Sequence, residues 1–221
     1  MRRGASDSTP IPESATVGAR TRISYSCRVN TQLDEVSSAW CLRLISEFSA
    51  AAERAIALAR GLSRQQINWK AHPAEWSIGQ CLDHLRVSNE VYCPAISNSL
   101  AGRPVAVVQE IRPGWLGQWF IRNYIETSSA KRRAPKKIKP VPDVEPSVLD
   151  QFLVSNRNAR ELVYRARNYD VNRIRFTNPF IPLIRFTVGT GLEILSKHQR
   201  RHLLQAERIR KNSEFPGSDL S

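Results

Sequence analysis

Two of the four histidines in the sequence, His198 and His202, stand four residues apart in a stretch that is predicted to be helical. Residues i and i+4 lie one above the other on the same face of a helix, so the two imidazole rings can converge on one point. A divalent metal ion requires this convergence of its ligands. The apolar stripe of the helix, which includes Leu195, Ala206 and Ile209, surrounds the pair. We therefore expect both histidines to point towards the core.

A third histidine, His84, lies in an earlier predicted helix. Ser77 followed three residues later by Gln80 is a capping box, a pair of reciprocal hydrogen bonds that starts a helix. Trp76 precedes the cap and is expected to pack on Cys81 as a hydrophobic staple. Apolar residues then recur at spacings of three and four, and His84 lies at the edge of their stripe. This helix therefore contributes a third inward histidine.

The histidine pattern favours some metal-dependent chemistries over others. Position 199 is Gln, so the sequence lacks the glutamate of H-E-x-x-H, and a metalloprotease is disfavoured. A site made of His84, His198 and His202 remains, with open positions for water or substrate. A metal ion held there could act as a Lewis acid, or lower the pKa of a bound water or thiol. The alternative is that the histidines are core residues that make ordinary hydrogen bonds.

Several neighbouring residues are weaker candidates for this site. Cys81 stands three residues before His84 and could approach a metal as a fourth ligand, although a buried structural thiol is the simpler interpretation. The second nitrogen of a metal-bound imidazole usually needs a hydrogen-bonding partner. The candidates for that role are Asn89, Glu90 and Gln205. Arg200 and Arg201 are expected to project away from the histidines by helical rotation, towards solvent or an interface.

The chain is strongly basic, with 33 basic against 20 acidic residues and a net charge of +13. Part of this charge forms a run beside prolines, made of Lys131, Arg132, Arg133, Lys136, Lys137 and Lys139. A basic surface favours anionic partners such as nucleic acid, anionic lipid or a small acidic substrate. We interpret residues 128–146 as a solvated, Pro-rich linker in preference to a nucleic-acid-binding arm.

Cysteine spacing and apolar runs indicate the compartment. The four cysteines show no C-x-x-C pattern, so neither a zinc ribbon nor a secreted disulfide framework is expected. The N-terminus lacks the apolar region of a signal peptide, and no apolar run approaches the roughly 20 residues of a membrane span. We therefore predict a reduced, cytoplasmic protein.

The periodicity of apolar residues predicts an all-α chain with four long amphipathic helices. They cover residues 33–61, 77–100, 146–167 and 191–211, the last starting with a second capping box at Thr190 and Glu193. A short amphipathic helix with two tryptophans is expected at 114–125. Residues 173–185 contain prolines and are expected to be irregular, buried by Phe176, Phe180, Ile181 and Ile184. Long helices with long connections are typical of a four-helix bundle.

The predicted domain organisation has three parts. Residues 1–32 are polar, without stable periodicity, and are expected to form a flexible N-terminal extension. Residues 33–212 form the bundle, and residues 213–221 form a C-terminal tail.

Two motifs within these helices resemble the DinB-like (YfiT-like) superfamily. The first runs from Asn68 to Leu85, with Trp69, Glu75-Trp76-Ser77-Ile78 and Asp83-His84-Leu85. The second is made of Pro179-Phe180 and His198-Gln199-Arg200-Arg201-His202-Leu203-Leu204-Gln205. The resemblance covers residues 33–211.

The resemblance implies an up-down-down-up four-helix bundle, often dimeric. It also implies a triad of His84, His198 and His202 that holds a divalent ion such as nickel, zinc or iron. The activities of the family range from metal-dependent hydrolase to low-molecular-weight-thiol S-transferase, which implies a small thiol and an electrophilic substrate as partners. The resemblance does not identify a catalytic base in this chain. The N-terminal extension and the basic linker depart from short family members and leave the partner open.

Overall fold

The computed structural model describes residues 38–126 and 138–217. The predicted N-terminal extension and most of the basic run lie outside these residues. The described elements, in chain order, are α1 (Ala39–Ala59), α2 (Arg64–Asn68), α3 (Ile78–Leu100), α4 (Trp115–Phe120), a π-helix (Ile121–Glu126), α5 (Val148–Ala166), β1 (Arg175–Thr177), β2 (Arg185–Thr187) and α6 (Val188–Arg210). The chain is therefore predominantly helical, as predicted, with a small amount of strand that was not predicted.

The four long helices pack around two apolar clusters. α1 and α3 each contact both α5 and α6. Leu44, Ile96 and Leu192 belong to one cluster, whereas Leu82, Phe152 and Leu203 belong to the other. Along α3, α5 and α6, buried polar residues separate the stretches that belong to the two clusters. None of the helices in the described ranges is both long and apolar enough to cross a membrane.

Two predicted helix boundaries are confirmed. At the start of α3, the Ser77 hydroxyl accepts a hydrogen bond from the Gln80 amide (3.1 Å), and the Gln80 side chain accepts one from the Ser77 amide (3.2 Å). α1 ends just before Gly61, whose φ of 78° is in the left-handed region that glycine adopts without strain. Both signals are local, because a few neighbouring residues are enough to produce them.

The predicted start of α6 is wrong. The helix begins at Val188 and is capped by Thr187, whose hydroxyl accepts a hydrogen bond from the Thr190 amide (3.2 Å). Thr190 therefore lies inside the first turn, and Glu193 forms an ion pair with Arg43 of α1 in place of the predicted cap. The capping-box pattern at Thr190 and Glu193 is present, but Thr187 provides an earlier cap.

The segment predicted to be irregular before α6 contains a short antiparallel hairpin. β1 and β2 have the same Arg-Phe-Thr sequence, and Phe176 pairs with Phe186 in the register. Both rings are buried, and in β1 Phe176 lies between two exposed residues, the alternation expected of a strand with one face on the core. The prediction that Ile181 is buried is wrong, because 38% of its surface is exposed.

The described end of the predicted linker is not a solvated connector. Residues 138–145, which we call the strap, lie against α2 and the start of α3. Ile138 and Val144 of the strap are buried. The Asn68 side chain donates to the Val144 carbonyl (2.8 Å) and accepts from the Val144 amide (2.9 Å). The linker prediction is therefore wrong for the strap, because its apolar residues complete the core beside α3.

Residues 213–217, which the sequence analysis places in a C-terminal tail, contribute to the packed structure. Phe215 is 2% exposed, and its ring centroid lies 5.4 Å from that of Trp69. The Gln66 side chain also donates to the Pro216 carbonyl (3.1 Å). The chain after α6 thus covers α2 and the loop that follows it.

Candidate metal centre

Three imidazole rings converge between α3 and α6. They belong to His84, His198 and His202, and one nitrogen from each lies within 4.8 Å of the other two. The Nε2 atoms of His84 and His198 are 3.0 Å apart, and the three pairs of ring centroids are separated by 4.8, 4.6 and 4.7 Å. The structure thus brings together the three histidines that the sequence analysis selected. Among the described residues, no other group of histidine, cysteine or acidic side chains shows this convergence.

Two of the rings have their second nitrogen held by an acceptor. His84 Nδ1 lies 2.7 Å from the carbonyl oxygen of Ile138 in the strap, and a carbonyl can only accept, so this nitrogen carries the proton. His202 Nδ1 lies 3.0 Å from Oε1 of Gln205, to which it donates. In a neutral ring, protonation at Nδ1 leaves the lone pair on Nε2. Both rings therefore present an Nε2 lone pair, the form that binds metal.

Only one of the three suggested second-nitrogen partners takes that role. Gln205 accepts from His202, whereas Asn89 is hydrogen bonded to Ser155 and to Gln199. Glu90 forms an ion pair with Arg86. The acceptor for His84 is a backbone carbonyl, which sequence reasoning missed because a carbonyl has no residue-type signature.

The histidines are held in their neutral form. Burial lowers the pKa of His84 to about 4, an effect that the Ile138 carbonyl opposes and the charge of Arg201 reinforces. Burial also lowers the pKa of His198 and His202 well below the usual value, and their neighbouring imidazoles and Arg201 add to the effect. Protons therefore compete little with a metal ion at these nitrogens near neutral pH.

An aromatic wall lies against the triad. The Trp76 indole stacks on His202, with a centroid distance of 5.3 Å and an interplanar angle of 26°, and its centroid lies 4.8 Å from that of His84. The staple prediction did not anticipate this contact with the histidines. His198 is the partly exposed member of the triad, whereas His84 and His202 are 2% and 6% exposed. The site is therefore most accessible at His198.

Cys81 has the surroundings of a structural thiol. It is fully buried, and burial raises its pKa to about 12, so the metal-binding thiolate is disfavoured. Its sulfur is also outside the group of converging ligand atoms. The interpretation of Cys81 as a buried free thiol is confirmed.

Arg201 lies closer to the site than predicted. Its Nη1 donates to the carbonyls of Tyr124 (2.8 Å) and Ile125 (3.4 Å) in the π-helix, and its charge lowers the pKa of all three histidines. Arg201 therefore bonds to a neighbouring element while its charge still reaches the histidines, and Arg200 is exposed as expected. Rotation about an isolated helix does not account for a long side chain that reaches across to a neighbouring element.

Comparison of the sequence with known proteins identifies the family of the chain. The sequence model of the DinB superfamily matches residues 47–206, a range that contains all three histidines. The chain belongs to the DinB superfamily. This DinB superfamily chain is also similar to the uncharacterized protein YuaE of Bacillus subtilis (strain 168), with 24% identity over 165 residues that cover 70% of the chain and 90% of YuaE. No solved structure matches it.

Proposed function

We propose that this DinB superfamily chain binds one divalent metal ion through His84, His198 and His202, with water completing the coordination. The observation that carries this proposal is the convergence of three neutral imidazoles, two of them with Nδ1 held by a hydrogen-bond acceptor. Imidazole nitrogen suits nickel, zinc and iron. Three protein ligands with an open position are typical of catalytic zinc sites.

We further propose that the site supports either hydrolysis or the transfer of a small thiol to an electrophilic substrate. A bound ion would supply Lewis acidity and lower the pKa of a water or thiol at the open position. The chain itself supplies the fixed ligand orientation, through Ile138 and Gln205, and an indole wall that restricts water on one side. The partly exposed side of His198 is where a small substrate would approach. We assign no residue as catalytic base.

Metal content tests the proposal. Untagged protein, purified without added metal or chelator, is compared by elemental mass spectrometry with a triple alanine variant at His84, His198 and His202. We expect near-stoichiometric nickel, zinc or iron in the natural chain and none in the variant. His72→Ala is the matched control, because His72 is an exposed histidine outside the group. Failure of the natural chain to retain metal after reconstitution would contradict the proposal.

A structural role is the second candidate, and two contacts favour it. His198 Nε2 lies within hydrogen-bonding distance of His84 Nε2, and Trp76 stacks on His202, so the rings are well packed without any ion. In that case the protein would be a non-catalytic helical bundle, and its basic linker could bind an anionic partner. Steeply salt-dependent binding that disappears when Lys131 to Lys139 are neutralised would support such a partner. We do not expect that partner to be nucleic acid.

We also propose the up-down-down-up order of the helices and the three-part domain organisation, with residues 213–217 packed against the bundle. Along the chain, α1 and α6 contribute to the first apolar cluster before the second, whereas α3 and α5 contribute in the opposite order. This supports an antiparallel direction of α1 and α6 relative to α3 and α5.

A homodimer is proposed, supported by the exposed Trp115 and Trp119 of α4. A cytoplasmic location is proposed as well, since Cys41, Cys81 and Cys93 are free thiols. Sedimentation velocity tests the dimer.

A further inference from the structure

The strap is hydrogen bonded to α3 at Val141, a position close in sequence to Ile138, whose carbonyl contacts His84. The amide of Val141 donates to Oδ2 of Asp83 (3.2 Å), and the Gln80 side chain donates to the Val141 carbonyl (2.9 Å). Three residues earlier, the Ile138 carbonyl accepts the Nδ1 proton of His84 (2.7 Å). A single short segment therefore bonds to three residues of the first two turns of α3.

The composition of the strap makes it stiff between these contacts. Val141 stands between Pro140 and Pro142, and proline fixes its own φ and restricts the residue before it to extended conformations. Ile138 is only three residues from Val141, so the hydrogen bonds at Val141 restrict the positions that the Ile138 carbonyl can take.

Asp83 divides its carboxylate between two partners. It is 4% exposed, and Oδ1 accepts from Nε (3.1 Å) and Nη2 (2.8 Å) of Arg86, which balances the buried charge. Oδ2 remains for the Val141 amide. Oδ2 of Asp83 is thus directed to the strap, while the Asp83 charge also acts directly on His84 and raises its pKa.

We propose that Asp83 is a positioning residue that fixes the tautomer of His84 through the strap. By holding Val141, Asp83 keeps the Ile138 carbonyl where it takes the His84 Nδ1 proton, so the lone pair stays on Nε2. Without that acceptor the proton is free to occupy either nitrogen, and a protonated Nε2 cannot bind metal. The consequence for metal affinity rests on the proposed function, whereas the effect on the tautomer does not.

Four substitutions separate the strap bond from other roles of Asp83. Asp83→Leu removes the acceptor, whereas Asp83→Asn keeps an oxygen that can accept from Val141. Arg86→Met removes the ion pair and leaves the strap bond. Val141→Pro deletes the donor from the other side, at a residue that is 48% exposed and already flanked by prolines. Val141→Pro therefore tests the same bond even if Asp83→Leu does not fold.

The first measurement is the tautomer of His84 in the metal-free protein, read from the 15N chemical shifts of its ring in two-bond 1H–15N correlation spectra. The second is zinc affinity, by competition with a chromophoric chelator. We expect Asp83→Leu and Val141→Pro to give a mixture of tautomers. We also expect them to weaken zinc binding about 10- to 100-fold, the range typical of changes to the groups that hydrogen bond to metal-binding side chains. Asp83→Asn and Arg86→Met are expected to keep the Nδ1-protonated form.

Two results would overturn the proposal. A natural tautomer in both Asp83→Leu and Val141→Pro would show that the strap bond does not position His84. A changed tautomer with unchanged zinc affinity would remove the role in metal binding. If neither the natural chain nor any variant binds zinc, nickel or iron, the proposed function fails, while the tautomer measurement still decides the role of Asp83.

Discussion

The three histidines combine burial with neutral charge, and this has a cost for the metal-free protein in acid. His84 has a pKa of about 4 in the folded chain, whereas an unperturbed histidine has a pKa near 6.5. The unfolded chain therefore binds a proton more readily than the folded chain does. The burial that keeps Nε2 available for a metal also makes the fold sensitive to pH.

We predict that the metal-free protein loses stability as the pH falls from about 6.5 towards 4. Because the folded pKa of His84 is the lower one, its contribution is fully present above about pH 6.5. The loss attributable to His84 is at most about 3–4 kcal/mol, at about 1.4 kcal/mol per pKa unit. His198 and His202 act in the same direction. Urea unfolding in chelator between pH 7.5 and 4.5 measures the effect.

The control for this prediction is His84→Gln, which has no proton to take up over this range. Its free energy of unfolding is expected to depend less on pH than that of the natural chain. An identical pH profile for the two proteins would show that His84 is not the group responsible.

At the scale of single residues, the sequence was informative about residue types and much less so about partners. The spacing of His198 and His202, and the resemblance of the Asp83-His84-Leu85 motif, were enough to select the triad. The acceptor at Ile138 could not be selected, because every residue has a carbonyl and only the fold decides which one reaches His84.

At the scale of elements, Gly191 illustrates why the start of α6 was predicted too late. The sequence analysis began this helix at Gly191, but the residue lies in its first two turns, where β1 comes close. A Cβ atom at this position would lie 2.6 Å from Cε1 of Phe176 and 2.9 Å from Cδ1 of Ile96. The glycine therefore makes room for the hairpin, and the hairpin itself was too short to predict from its periodicity.

We predict that Gly191→Ala lowers the free energy of unfolding by about 1–3 kcal/mol, the usual cost of overpacking a core. Chemical denaturation measures this change. Gly114→Ala is the matched control, because Gly114 has an ordinary φ of −61° and nothing lies within 4 Å of the point that an alanine methyl group would occupy there. Equal stability of the two variants would show that the Phe176 ring moves aside at little cost.

At the scale of the whole molecule, the triad connects two long helices whose ligands are 114 positions apart in the sequence. α3 and α6 already pack against each other. An ion held by both helices would bind the folded chain and not the unfolded chain, in which the three histidines no longer converge. The proposed metal binding would therefore be coupled to the stability of the whole bundle.

We predict that zinc raises the melting temperature of the natural chain and leaves that of His198→Ala almost unchanged. With free zinc at about 100 times the dissociation constant, the stabilisation is about 2.7 kcal/mol. Differential scanning calorimetry with and without chelator measures the shift. His72→Ala should respond to zinc as the natural chain does, because His72 lies outside the triad. A zinc-induced shift of full size in His198→Ala would indicate binding elsewhere.

The long helices were predictable because amphipathic periodicity and capping are repeated along the chain and depend on near neighbours. The strap was not, because basic and proline-rich sequence is typical of solvated linkers, and only its contacts with Asn68, Gln80 and Asp83 show that it is packed. Long-range contacts of this kind leave no periodic pattern.

The stacking of Trp76 on His202 has a practical consequence. An indole stacked on an imidazole changes its fluorescence when the electronic surroundings of that imidazole change. Trp76 also lies against His84, so it contacts proposed ligands from both helices. The protein thus contains an intrinsic optical probe at its candidate metal centre, and the arrival of an ion can be followed in real time without attaching a dye.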